Sequence, residues 1–170
     1  MFYLFESGTF PADVSLRIPL KDCIMRNLAS VLLIDDSPGE CELFRQALAQ
    51  ARLDIQLYTE HDPETAMHFL ANRTVYESLP SLILLDWQLE KTRGDQFLVR
   101  LRTHHRLASI PVVVFTTSEA SCDMTAGYAY GANGYVVKPG TFDELVQCVA
   151  VMCRFWTTWN VIPNPVETRC

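Results

Sequence analysis

The sequence is short of positive charge. Fourteen Lys and Arg stand against twenty Asp and Glu, a formal net charge of -6, and no run of basic residues gathers anywhere. Nucleic acids and anionic membranes are held by clustered cations, so neither is an expected partner. No apolar run approaches the roughly 20 residues that a bilayer-spanning helix needs. The first twenty residues open apolar but lack a basic leading segment, and Glu6, Pro11 and Asp13 interrupt them. They read poorly as an export signal. The six cysteines (Cys23, Cys41, Cys122, Cys148, Cys153 and Cys170) show no C-x-x-C spacing and no regular framework. Without an export signal they are expected to be reduced thiols in a cytoplasm. Cys148 and Cys153 are expected to pack as small hydrophobes on or beside a helix face. Internal repeats and low-complexity stretches are absent as well.

What remains fits one globular domain. Hydrophobic residues make up 49% and charged residues 20% of 170, enough for a full core and little more. Short apolar runs alternate with longer amphipathic ones. The runs are Val31 to Ile34, Ile55 to Tyr58, Leu82 to Leu85, Val112 to Phe115 and Gly134 to Val137. Each has strand length and turn or polar residues at its ends. Four are apolar at consecutive positions, the pattern of parallel strands covered on both faces. The second alternates, which places it at a sheet edge.

The intervening segments read as helices. Ser37-Pro38-Gly39-Glu40 offers a capping serine, a proline at the first helical position and a glutamate three residues after the cap. Asp62-Pro63 opens the second helix in the same way. Phe97, Leu98 and Leu101 mark the third. The fourth, around Asp123 to Tyr130, is the weakest because Gly127 interrupts it. Thr141 to Glu144 is a capping box, and Phe142, Leu145, Val146, Val149, Met152, Cys153 and Trp156 follow at helical spacing. Five strands, each followed by a helix, predict a doubly wound α/β sheet. Ligand sites in such sheets lie at the carboxyl ends of the strands.

Those ends carry a coherent set. Asp35-Asp36 follow the first strand, Asp86 the third, Thr116-Thr117 the fourth and Lys138-Pro139 the fifth. Three carboxylates on one rim stay ionised together only with a cation among them. An all-oxygen set favours a hard ion such as Mg2+. Lys138 adds a fixed positive charge and a threonine hydroxyl a hydrogen-bond donor. Metal, ammonium and hydroxyl around one carboxylate make a cradle for a phosphoryl group. Asp86, alone on the central strand, is the candidate nucleophile. Thr116 is read as the first residue past its strand and preferred to Thr117 as the phosphoryl partner.

These residues resemble the receiver domains of two-component response regulators, over about residues 30 to 156. The resemblance implies the flavodoxin-like strand order 2-1-3-4-5. It implies Mg2+ held by Asp35, Asp36, Asp86 and the backbone carbonyl of Gln88. Asp86 would accept a phosphoryl group from a sensor histidine kinase, with Thr116 and Lys138 binding it. Tyr135 would be the switch side chain, reorienting with Thr116, although by position alone it could be a half-buried strand residue. Gln88 and Ser118 would flank the approaching water and tune dephosphorylation. The Lys138-Pro139 peptide is expected to be cis. On this reading the chain is a phosphoacceptor with Mg2+-dependent self-phosphorylation and autodephosphorylation chemistry rather than an enzyme. Two departures stand out. Where the family usually has proline, four residues after the acceptor, this chain has Glu90, and Gly140 stands where many members have Phe. Gly94 keeps its expected place.

Residues 1–29 lie outside the pattern, as a flexible arm or a misassigned start upstream of Met25. Fourteen residues remain after 156, too few for a DNA-binding module, so a protein contact is the expected output. Its expected surface is the fourth helix, fifth strand and fifth helix. The apolar tail, 157–170, begins just past Phe155 and Trp156 and runs through Trp159 to Pro165. With the IPVVVFTTS segment it is similar to small cyanobacterial response regulators paired with phytochrome kinases, in which the C-terminal part supports a homodimer. Packing of the tail on its own domain is the alternative. His61, His104 and His105 lack metal-ligand spacing and are expected to be solvated. Trp87 either covers the pocket edge or packs in the core. Three other functions fit less well. A phosphorylation-independent adaptor would tolerate loss of an acidic residue or the lysine, and none is lost. A haloacid-dehalogenase-like phosphatase needs D-x-D after the first strand. A flavodoxin-like FMN binder needs a phosphate loop that Ser37 to Glu40 does not supply.

Overall fold

Runs of Leu, Ile and Val that are apolar at every position can be buried only between two layers. The computed structural model, which describes residues 29–73, 79–90 and 93–162, places them there. Strands β1 (Ser30–Ile34), β3 (Leu82–Leu85) and β4 (Val112–Thr116) are buried along their whole length. With β2 (Gln56–Glu60) and β5 (Gly134–Val137) they form one parallel sheet in the order β2-β1-β3-β4-β5. The order and the edge position of β2 agree with expectation. β5 is the other edge, and it is half-buried rather than covered on both faces. β2 starts one residue later than its apolar run, at Gln56, in register with Ser30. Ile55 instead packs under the sheet with the apolar residues below.

Helices α1 (Pro38–Gln50), α2 (Pro63–Ala71), α3 (Gly94–Thr103), α4 (Ser121–Ala129) and α5 (Phe142–Arg154) cover the two faces. The predicted caps are made. Ser37, Asp62 and Thr141 each accept a hydrogen bond from a backbone N–H in the first turn of the helix they precede. One face buries Leu32, Ile34, Ile83, Leu85, Val112 and Val114 against α2 and α3. The other buries Val31, Leu33, Leu84, Val113 and Phe115 against α1 and α5. Each such side chain contributes about 1.5–3 kcal/mol when fully buried. Gly127 belongs to α4 rather than breaking it. A Cβ there would meet the Tyr135 ring at 3.3 Å, so glycine is what lets the helix lie against that tyrosine.

After Arg154 the last helix widens into one π-helical turn, Phe155–Trp159, three residues past the expected domain end at 156. The Asn160 N–H donates to the carbonyl of Phe155, five residues back, at 2.9 Å. Trp156 packs inward on the α1–α5 layer. Phe155 and Trp159 face out, 50% and 77% exposed. Cys153 is buried and Cys148 half-buried, as small hydrophobes. Among the described residues no helix is long and apolar enough to cross a membrane. The expectations for residues 1–28 and for the tail beyond Ile162 lie outside the described residues.

Candidate functional site

Parallel strands end on one rim, and the rim gathers the expected groups. Asp35 and Asp86 are 1% and 8% exposed, held at the ends of adjacent central strands. Lys138 reaches them from the end of β5. Its Nζ lies 2.7 Å from Asp35 Oδ2 and 2.9 Å from Asp86 Oδ2. Glu40 Oε2 lies farther off at 3.8 Å. The remaining oxygens of the two buried carboxylates take backbone donors. The Ser37 N–H donates to Asp35 Oδ1 at 2.9 Å and the Gln88 N–H to Asp86 Oδ1 at 3.0 Å. Burial acts to lower the Lys138 pKa. The hydrogen bonds and charges of Asp35 and Asp86 outweigh it, and the net shift is upward.

Asp36 has a partner of its own. Its Oδ2 accepts the Glu90 N–H at 2.7 Å, tying the loop after β1 to the loop after β3. Asp36 and Glu90 also line a cleft of about 170 Å3 with His61, Asp62, Pro63 and Leu89, beside the cluster rather than on it. Among the described residues no three His, Cys, Asp or Glu side chains stand together as a preformed metal cage. The donor chemistry nevertheless suits a hard cation. The candidate ligands are all oxygens, and Mg2+ needs only one or two carboxylates because it keeps several waters.

Thr116 is the last residue of β4, not the first beyond it, and is fully buried. Thr117 is exposed, which favours Thr116 as the residue at the rim. The Thr116 hydroxyl accepts the Ser118 N–H at 3.3 Å. The Ser118 hydroxyl donates to Asp123 Oδ2 at 2.7 Å, and Asp123 pairs with Arg93 at 3.3 Å. Tyr135 points its hydroxyl to the Ser118 carbonyl at 3.0 Å. Burial pushes the Tyr135 pKa up. Ser118 therefore links Thr116, Tyr135 and, through Asp123, Arg93 at the start of α3.

One expectation is overturned. Among the described residues no peptide bond is cis, so the bond before Pro139 is trans. Trans is the more stable X-Pro isomer by about 0.5–1 kcal/mol. With that bond trans, Lys138 Nζ still lies 2.7 Å from Asp35 Oδ2 and 2.9 Å from Asp86 Oδ2, so the lysine reaches its carboxylates without the rarer isomer. His61 is not simply solvated, since its Nδ1 lies 3.0 Å from the Asp35 carbonyl. His104 and His105 stack on each other with ring centroids 5.1 Å apart. Trp87 is a core residue, 1% exposed. A Cβ on Gly94 would come within 3.0 Å of its ring, which explains the glycine.

The response regulator receiver domain pattern matches residues 31–150. The chain belongs to that family. It is 33% identical over 135 residues to the response regulator Rcp1 of Synechocystis sp. (strain PCC 6803), covering 78% of this chain and 92% of Rcp1. The crystal structure of Mn2+-bound Rcp1 superposes with a TM-score of 0.68, covering 79% of this chain and 99% of that one. The structure of phosphorylated RcpA, a cyanobacterial phytochrome response regulator, gives a TM-score of 0.72 at 29% identity, covering 81% and 99%. The bacteriophytochrome response regulator RtBRR gives 0.62 at 33% identity, covering 81% and 84%. The receiver is thus homologous to phytochrome response regulators of two-component systems.

Proposed function

We propose that this receiver accepts a phosphoryl group on Asp86 from a phytochrome-type sensor histidine kinase. The observation that carries the reading is the bridge from Lys138 Nζ to Asp35 and Asp86 at the strand ends. An Asp86 oxygen attacks phosphorus in line, the P–N bond to the donor imidazole breaks, and an acyl phosphate forms on Asp86. Lys138 then exchanges a carboxylate contact for a phosphoryl oxygen, and the Thr116 hydroxyl donates to another. Asp35, Asp36, Asp86 and the Gln88 carbonyl would hold Mg2+, which neutralises charge gathering on those oxygens when bound. Water later attacks phosphorus, releasing inorganic phosphate and restoring the carboxylate. Gln88 and Ser118 flank that approach. The chemistry stays on the chain's own aspartate, so the protein is a phosphoacceptor rather than an enzyme with separate substrates.

Phosphorylation would bias the Thr116–Ser118–Tyr135 connection and so the α4–β5–α5 surface. The output is protein contact in the cytoplasm, without nucleic acid or membrane. The exposed Val151, Phe155, Trp159 and Val161, from 50% to 89% exposed, suit a homodimer built on the end of α5. Trp159→Ser should then lower the apparent mass by light scattering. An unchanged mass in both proteins would remove this surface as the dimer contact.

The deciding experiment incubates the protein with acetyl phosphate and Mg2+ and reads intact mass. Wild type should gain one acid-labile phosphoryl group and Asp86→Asn none. Equal labelling of the two would remove Asp86 as the acceptor.

A further inference from the structure

We infer that the backbone N–H of Glu90 is a latch that competes with the metal for Asp36. The inference rests on the proposed Mg2+ site and concerns how that site is gated. The two buried carboxylates are already engaged at both oxygens, Asp35 by Lys138 and Ser37 and Asp86 by Lys138 and Gln88. Asp36 is the carboxylate left to begin capturing a cation. Its Oδ2 is instead held by the Glu90 N–H at 2.7 Å, a short charge-assisted contact across 54 residues of chain. A cation that takes this oxygen competes directly with that donor. The contact also clips the loop after β1 to the loop after β3.

The residue at position 90 decides whether the latch exists. Every amino acid except proline supplies a backbone N–H there. Glu90 is therefore a positioning residue acting through Asp36, and it acts by its main chain rather than its carboxylate. Glu90→Ala and Glu90→Pro separate the two. Both remove the side-chain charge, but only proline removes the donor.

The test measures the Mg2+ dissociation constant of the full chain by following 15N–1H amide shifts of wild type, E90A and E90P. One hydrogen bond of ordinary net strength corresponds to about three- to tenfold in an equilibrium constant. E90P should bind Mg2+ tighter than E90A by about that factor, with thermal midpoints reported for both. In wild type, which needs no substitution to fold, the Glu90 amide proton should lie downfield without metal and move upfield as Mg2+ saturates. Equal dissociation constants for E90A and E90P, or a Glu90 amide that Mg2+ leaves in place, would overturn the latch while leaving the metal site standing. No Mg2+ response in any of the three proteins would overturn the metal site and the latch together.

Discussion

Deleting the charge of Lys138 tests the rim most directly. Lys138→Met keeps the length of the side chain and removes the ammonium. Asp35 and Asp86 are 1% and 8% exposed, and each has one oxygen on Nζ at 2.7 and 2.9 Å. Their other oxygens keep backbone donors, so the loss falls on two oxygens left without a counter-ion. Removing one partner of a buried ion pair costs about 3–5 kcal/mol. For a domain of this size that is a fall in Tm of about 10–20 °C. Asp86→Asn acts oppositely. It leaves Lys138 on Asp35 and relieves one like-charge contact, so its stability should equal or exceed wild type. In the Asp86→Asn background the penalty of Lys138→Met should shrink by about 1–2 kcal/mol. Urea unfolding followed by circular dichroism at pH 7, without divalent metal, reads all four proteins. A Lys138→Met protein within about 1 kcal/mol of wild type, or the same penalty in both backgrounds, would refute the account.

Arg102 donates to the carbonyls of Ala108, Ile110 and Gly131 and to Asn133 Oδ1 at 2.8–3.0 Å, stitching α3 to the approaches of β4 and β5. Arg102→Met should lose about 2–4 kcal/mol in urea unfolding, and Arg102→Lys should not rescue it. Burial pushes the Cys153 thiol up to about 12 and the Cys41 thiol up to about 11, from an ordinary 9.0. Between pH 9 and 11 the folded state therefore holds protons that the unfolded chain has released. Stability should fall as pH rises through that window, by up to about 1.4 kcal/mol per pH unit for each thiol. The raised Tyr135 and Lys138 add the same sign above their ordinary 10.0 and 10.5. Urea midpoints at pH 8 and 10.5 check this, and Cys153→Ala should flatten the slope.

The sheet and the cluster were legible because each central strand is apolar throughout and each ends in a polar group. A strand end fixes where a side chain goes, which is why Asp35, Asp86 and Lys138 could be assembled from order alone. The Asp36 contact was not legible, because its partner is the main-chain N–H of a loop residue. Glu90 was conspicuous as a departure, yet its side chain says nothing about its amide. The His61 approach to the Asp35 carbonyl escaped for the same reason. The cis expectation came from resemblance alone, and no pattern in the residues around Pro139 had pointed to it. Arg102 could have been noticed, since an arginine in the last turn of a helix often meets nearby carbonyls.

The wide turn at the end of α5 sorts two tryptophans. In an uninterrupted α-helix Trp159, seven residues after the buried Met152, would share its face with Trp156 and lie on the domain. The wider turn advances less per residue and swings Trp159 away, leaving one indole inside and one outside. A regular α-helical pitch over the same five residues, with none added or removed, would turn the outer ring back onto its own domain. The pitch of that five-residue segment, more than the identity of any side chain in it, would then govern whether the molecule has an adhesive end.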